Sequence, residues 1–217
     1  MPSLPRPLAA AMLALACALT LAAQHKPAAK TAAHAAAPAK LGPGTYADFH
    51  TNKGMFVVQL FPSAAPKAVA NFVNLAEGKQ PYKDPSTGGL SMAPLYNGLL
   101  FFRTIPGYMI QTGDPLNNGE GSLGYTLPYE KNNLRFNQAG RMALAQVGND
   151  PSSRGSQIFF TLKPVPALDQ QGYLIIGQIV RGLDVAQALS EGPRKGGAND
   201  LPAYPNILQS VSIQVVK

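Results

Sequence analysis

Phe101-Phe102-Arg103-Thr104-Ile105-Pro106-Gly107-Tyr108-Met109-Ile110-Gln111-Thr112-Gly113-Asp114 is the densest run of the chain. A single arginine among large apolar residues is costly to bury unpaired, so it must emerge at a surface or line a groove. Arg103, Met109 and Gln111 share parity, which in a strand puts them on one face, although Pro106-Gly107 interrupts that strand. Composition alone fits an edge strand whose arginine points to water.

On either side of this run the signals are short strands and turns. Phe49-His50-Thr51, Asn52-Lys53-Gly54 and Met55 to Leu60 read as a hairpin. A helix follows, with Pro66 near its start, Val69, Phe72, Val73 and Ala76 on one stripe, and Gly78 just past its end. Lys79 to Ala93 reads as a polar loop, and Leu99 to Ile105 as β-prone. Further strands are expected at Arg141–Ala145, Gln157–Leu162, Leu174–Val180 and Ile207–Val216, with a second helix near Leu183–Leu189. Gly 21 and Pro 20 in 217 residues make about 19%, against roughly 12% in average usage. Such punctuation excludes a long-helix bundle, and many short strands with two helices indicate a mostly-β barrel or sandwich.

The N-terminal part is different. Met1 to Ala23 has the form of a secretory signal: Arg6 supplies the positive region, Leu8 to Ala23 is apolar apart from Thr20, and Leu21-Ala22-Ala23 offers small residues for cleavage. The apolar run is short of the roughly 18 residues of a membrane span. Ala14-Leu15-Ala16-Cys17 resembles a bacterial lipoprotein processing site, with Ala14 where leucine is usual; membrane attachment is expected only if Cys17 is lipidated. Residues 24–44 hold eight Ala, three Pro, three Lys and no acidic or aromatic residue. They cannot bury enough apolar area to offset ordering and read as a tether. The folded domain is expected over residues 45–217.

The formal charge of +7 belongs largely to this extension. Arg6, Lys26, Lys30 and Lys40 precede the first acid, Asp48, leaving 14 basic against 11 acidic residues from Thr45 onward. No Lys/Arg block with interleaved aromatics follows, so nucleic acid is not an expected partner. Cys17 is the only thiol, and His25, His34 and His50 form no cluster of metal-ligand spacing. A relay built on His50 lacks any nucleophile-elbow glycine pattern. Neither a metal nor a cofactor is expected.

Phe101 to Asp114 resembles the signature of the cyclophilin family of peptidyl-prolyl isomerases, a Phe-His-Arg run followed by Ile-Pro-Gly-Phe-Met-x-Gln-x-Gly-Asp. A second family run resembles Met142-Ala143 and Gly155-Ser156-Gln157-Ile158-Phe159, and a third resembles Leu168-Asp169 and Ile176-Gly177. Ala65 to Val73 is similar to the family's first helix. The motifs stand in the family's order. The resemblance implies a closed eight-stranded antiparallel barrel capped by two α-helices, with a substrate groove on its outer face.

Carried over by position, Arg103 is the catalytic arginine and Gln111 a polar anchor. Tyr108, Met109, Phe159 and Leu168 would form the proline pocket, with Tyr173 at its edge. Ala143, Leu144 and Gln157 would line the neighbouring groove, the Leu144 backbone pairing the peptide. Phe102, where the family has His, would touch substrate beside Arg103. Ala167 stands where many members have Trp, which implies weak binding of cyclosporin. The implied function is peptidyl-prolyl isomerisation of proline-containing, unfolded or flexible polypeptides, by a monomer exported to a periplasm or cell envelope. The alternative is a non-catalytic proline-peptide binding or holdase module on the same barrel.

Overall fold

The computed structural model describes residues 40–147, 150–195 and 201–217. The signal run, Cys17 and residues 24–39 of the expected tether lie outside the described residues. The remainder of that tether does not behave as one. Strand β1 (Gly44–Thr51) begins inside it, Gly44 pairing with Val216, and the Tyr46 hydroxyl donates to the Gly42 carbonyl at 2.9 Å.

β1 and β2 (Gly54–Leu60) form the expected hairpin, with Thr51 opposite Gly54. Its register sets Phe49 opposite Phe56, and the two rings stack at 4.8 Å. Helix α1 (Pro66–Ala76) buries Val69, Phe72 and Ala76 of the expected stripe, leaves Val73 only partly buried, and buries Leu75 in addition. Its N-terminus has no side-chain cap of its own. Instead the Glu130 carboxylate, brought in from a distant loop, accepts from the backbone N–H groups of Lys67 at 3.0 Å and Ala68 at 2.8 Å. A carboxylate there satisfies two orphan donors and meets the positive end of the helix dipole. Replacing Glu130 with alanine is expected to cost about 1 kcal/mol, read as a lowered urea midpoint at unchanged slope; an unchanged midpoint would deny the cap any role.

The loop expected over residues 79–93 contains a small antiparallel pair, β3 (Tyr82–Lys83) and β4 (Leu90–Ser91). The remaining strands are β5 (Leu99–Leu100), β6 (Arg103–Ile105), β7 (Met109–Thr112), β8 (Arg141–Val147), β9 (Asp150–Thr161), β10 (Ile175–Arg181) and β11 (Ile207–Val216). Helix α2 spans Leu183–Ser190, and a short 3-10 helix, not anticipated from sequence, spans Pro166–Gln170.

The main sheet runs β5-β11-β1-β2-β10-β8-β9-β7-β6, with antiparallel neighbours throughout. Its two ends, β5 and β6, are separated in the chain only by Phe101 and Phe102. The sheet therefore closes on itself through the run 99–105, and counting that run once yields the eight-stranded barrel. Closure removes the open edges that would otherwise template aggregation. Phe49, Phe56, Phe160, Met142, Leu144 and Ile176 fill the interior, and Phe72 of α1 stacks onto Phe49 at 6.0 Å.

Pro106-Gly107 does not interrupt one strand; it turns the chain between two. β6 and β7 pair as a hairpin, Arg103 opposite Gln111 and Ile105 opposite Met109. Side chains of directly opposed residues share a face, so Arg103, Met109 and Gln111 come together for a reason different from simple parity. Gly113 ends β7 with φ +87, and a Cβ there would lie 2.2 Å from the Ser156 carbonyl oxygen, so only glycine admits this approach to β9.

Candidate active site

A pocket of about 290 Å³ opens on the outer face where β6, β7, β8 and β9 meet the 3-10 helix. Strand alternation decides what faces it. On β9, Phe160 points into the barrel, so its neighbour Phe159 points out; on β8, Met142 and Leu144 point in, so Ala143 and Ala145 point out. Met109, Phe159, Leu168 and the ring of Tyr173 make the apolar walls, with Tyr108 at the rim.

The aromatic walls are held from behind. Phe159 and Tyr173 meet edge-to-face at 5.1 Å, and Phe136 stacks beneath Phe159 at 6.0 Å while meeting Tyr173 at 6.4 Å. Phe136 is fixed by its backbone, whose N–H donates to Asp169 at 2.8 Å and whose carbonyl accepts from Val165 at 2.8 Å. The segment carrying Leu168 and the loop carrying Phe136 thus brace one another. Arg141, beside this brace, has its pKa lowered by burial and partly restored by Asp169.

The polar side of the pocket is Arg103 facing Gln111. Arg103 is half-buried, and its Nε–H is buried without a hydrogen-bond partner. Such a donor costs about 1–3 kcal/mol when left unsatisfied, so the site carries a group prepared for an acceptor from outside. Gln111 is held more tightly. Its amide donates to Gln157 Oε1 at 3.0 Å, and Gln157 Nε2 donates in turn to the carbonyls of Gly119 and Gly121 at 3.2 and 3.1 Å. The loop that carries those carbonyls is tied by the buried Asp114 carboxylate, which accepts from the N–H groups of Leu116, Asn118 and Gly119. One of the two Gln111 amide N–H groups is used on Gln157, which fixes the amide and leaves the Gln111 oxygen without a donor among the described residues.

Arg103, Tyr108, Met109, Gln111, Phe159, Leu168 and Tyr173 are brought together as the sequence reading placed them. Four others do not line this pocket. Phe102 is buried and lines a separate small cavity with Lys195, Leu201 and Pro202, because a residue adjacent to Arg103 in an extended run faces the opposite side. Leu144 points into the barrel, and its N–H is already donated to the Leu174 carbonyl at 3.0 Å. Ala143 is fully buried beneath the pocket floor, and it is Ala145, two residues on, that lines the pocket. Gln157 is buried behind Gln111 and acts as its support rather than as groove surface. Ala167 is exposed and does not line the pocket.

Sequence reading missed Gln146 and Gln171, which also line the pocket and are joined by a hydrogen bond from Gln146 Nε2 to the Gln171 carbonyl at 2.9 Å. It also missed Phe136. Strand alternation from Ala143 would have found Ala145; nothing local marks the two glutamines.

The support role of Gln157 is testable. Gln157→Leu is expected to raise the Kd for a proline peptide about three- to tenfold, the size of a loosened hydrogen-bonded anchor, with the catalysed exchange rate at saturation nearly kept. Loss of that saturating rate with Kd unchanged would contradict the placement.

With this geometry in hand, comparison with known proteins is informative. The family model for cyclophilin-type peptidyl-prolyl cis-trans isomerases matches residues 46–213. Relatives include peptidyl-prolyl cis-trans isomerase A of Mycobacterium tuberculosis, 37% identical over 170 residues covering 77% of this chain and 91% of that protein. Peptidyl-prolyl cis-trans isomerase B of Streptomyces anulatus is 38% identical over 172 residues, 78% of this chain and 96% of the relative. Among solved structures, a cyclophilin-type isomerase of Cryptosporidium parvum, crystallised in the presence of the dipeptide Ala-Pro, superposes with a TM-score of 0.64 at 27% identity, covering 79% of this chain and 99% of that one. A nine-stranded sheet closed through residues 99–105, a pocket built on the Arg103–Gln111 pair, and these matches across most of the chain make this protein a member of the cyclophilin-type peptidyl-prolyl cis-trans isomerase family.

Proposed function

We propose that this protein catalyses cis-trans rotation about X-Pro bonds in unfolded or flexible polypeptides, with Arg103 as the catalytic residue. The observation that carries the reading is the buried, unpartnered Nε–H of Arg103 in a pocket walled on its other side by Met109, Phe159 and Leu168.

Rotation about a peptide bond has a barrier of roughly 18–20 kcal/mol, because amide resonance must be broken, yet no covalent bond forms and no proton need move. Among the described residues the pocket lining accordingly contains no histidine, thiol or carboxylate. At the twisted transition state the prolyl nitrogen becomes pyramidal and gains lone-pair density that it lacks in either planar isomer. A guanidinium aimed at that nitrogen binds the transition state better than the ground states, which is the condition for catalysis. A charge-assisted hydrogen bond of about 1.5–3 kcal/mol supplies roughly 10- to 150-fold. The remainder comes from holding the ring against Met109, Phe159 and Leu168 while Gln111 anchors the chain and the preceding carbonyl swings.

The substrate class is supported by the Ala-Pro dipeptide used with the Cryptosporidium relative. We further propose that the protein is exported and acts on folding polypeptides in a periplasm or cell envelope; Arg6, the apolar run from Leu8 and the small residues at 21–23 support this. Mass spectrometry of the N-terminus of the exported form would test it: a mature N-terminus near Gln24 agrees, cleavage before a lipidated Cys17 makes the exported form membrane-anchored, and full-length protein retained in the cytoplasm contradicts export. The activity itself is tested by the cis-to-trans rate of an X-Pro peptide at low temperature, where the uncatalysed reaction takes minutes. Acceleration in proportion to enzyme concentration agrees; binding without acceleration makes the barrel a proline-peptide binding module.

A further inference from the structure

The rim of the pocket away from Arg103 carries a second cation that the reaction leaves unused. Lys163 lies two residues beyond β9 and is exposed, with its Nζ 5.5 Å from the centroid of the Tyr108 ring. That distance is within the range of a cation–π contact, so the ammonium is held over a pocket wall rather than sweeping through solvent. The β7–β9 register shows which end of the pocket this is. Gln111 faces Phe159 and Met109 faces Thr161, and the Leu162 N–H then donates to the Tyr108 carbonyl at 2.8 Å. Lys163 therefore emerges beyond the Met109 end of the ladder, while Gln111 and its partner Arg103 mark the other.

Charge in the lining is one-sided. It comprises Arg103, three glutamines and apolar residues, with no carboxylate. Among the described residues no carboxylate lies within ion-pair distance of Lys163 either. The ammonium is thus offered to whatever occupies the pocket.

We infer that Lys163 selects substrates with an acidic side chain on the residue following the proline. The inference rests on the isomerase reading above, which puts the X-Pro amide at Arg103. In this orientation the prolyl nitrogen lies at Arg103, the ring against Met109, Phe159 and Leu168, and the chain is taken to leave toward the Tyr108 rim, the end at which Lys163 emerges. The next Cα lies 3.8 Å beyond that of proline, and a Glu or Asp side chain there comes within reach of the flexible lysine stem. A lysine at the same position meets like charge.

The test is a set of peptides Ala-Ala-Pro-Xaa-Ala with Xaa Glu, Ala or Lys, in which exchange rate and Kd are both read by NMR at low ionic strength. The Glu peptide is expected to exceed the Lys peptide about fivefold in catalysed exchange and in affinity, the span of an exposed ion pair. That ratio shrinks toward one in roughly 1 M salt, where the screening length falls to about 3 Å. It collapses in Lys163→Ala, inverts in Lys163→Glu and persists in Lys163→Arg. A ratio unchanged in Lys163→Ala, or an equal preference when the acidic residue is moved before the proline, overturns the inference. Because Kd is read on the same samples, the charge ratio still decides if no peptide is accelerated, and failure of the isomerase reading remains distinct from failure of this one.

Discussion

Arg103→Ala is expected to reduce catalysed X-Pro exchange by about two orders of magnitude, while the Kd for the same peptide rises less than tenfold. The proline ring binds through Met109, Phe159 and Leu168, none of which depends on the arginine. What the variant loses is a donor whose worth is greatest at the twisted amide, so the loss falls on the rate rather than on binding. A charge-assisted bond of about 1.5–3 kcal/mol sets the scale. Arg103→Lys recovers only part of it: the charge remains, but one flexible ammonium cannot hold the prolyl nitrogen and the neighbouring carbonyl together as a planar fork does. The variant gives up no hydrogen bond at Arg103 Nε, and its urea midpoint read beside the parent's separates any loss of packing from loss of rate. Equal losses in affinity and in rate at saturation would make Arg103 a binding group alone.

The largest effect on stability is expected one residue from the pocket. Phe160→Ala should cost about 3–5 kcal/mol, against a total of about 5–15 kcal/mol for a domain. Phe160 is fully buried and meets Phe49 and Phe56 edge-to-face, both at 5.2 Å. It sits near the C-terminal end of β9, opposite Ile110 of β7 and Met142 of β8, so the cavity it leaves is walled by three strands and cannot collapse without moving the barrel. The check is urea unfolding, where the midpoint falls and the slope stays constant. A loss under about 1 kcal/mol would mean that the interior is not packed as described.

Phe159 and Phe160 also show what is legible in sequence. Alternation separates them, one to the pocket and one to the core, and marks Phe49 between Asp48 and His50 in β1. By contrast, β2 buries Val57 and Val58 in succession, and β11 buries Leu208 and Val211 at odd spacing across a register shift and leaves Val215 exposed. The stripe of α1 was equally readable, because one buried face repeats every three to four residues. Tertiary closure was not readable. Arg103 and Gln111 share a face through a hairpin turn at Pro106-Gly107, and Leu168 and Tyr173 join them only because the barrel closes and the 3-10 helix packs over Phe136. Phe102 falls outside the pocket because parity sets it on the face opposite Arg103, and parity likewise turns the Leu144 side chain into the barrel. Gln146, Gln171 and Glu130 carry no periodic signal; each acts through a partner distant in the chain or through a loop backbone.

The most direct test of the central claim is the cis-trans exchange rate of an Ala-Pro peptide, measured by NMR under saturating conditions with the parent protein and with Arg103→Ala side by side, peptide binding being followed on the same samples. Exchange accelerated by the parent and slowed about a hundredfold with the bound variant is the expected result. Peptide bound by both proteins with exchange unaccelerated by either would contradict it and leave the pocket a proline-binding site without catalysis.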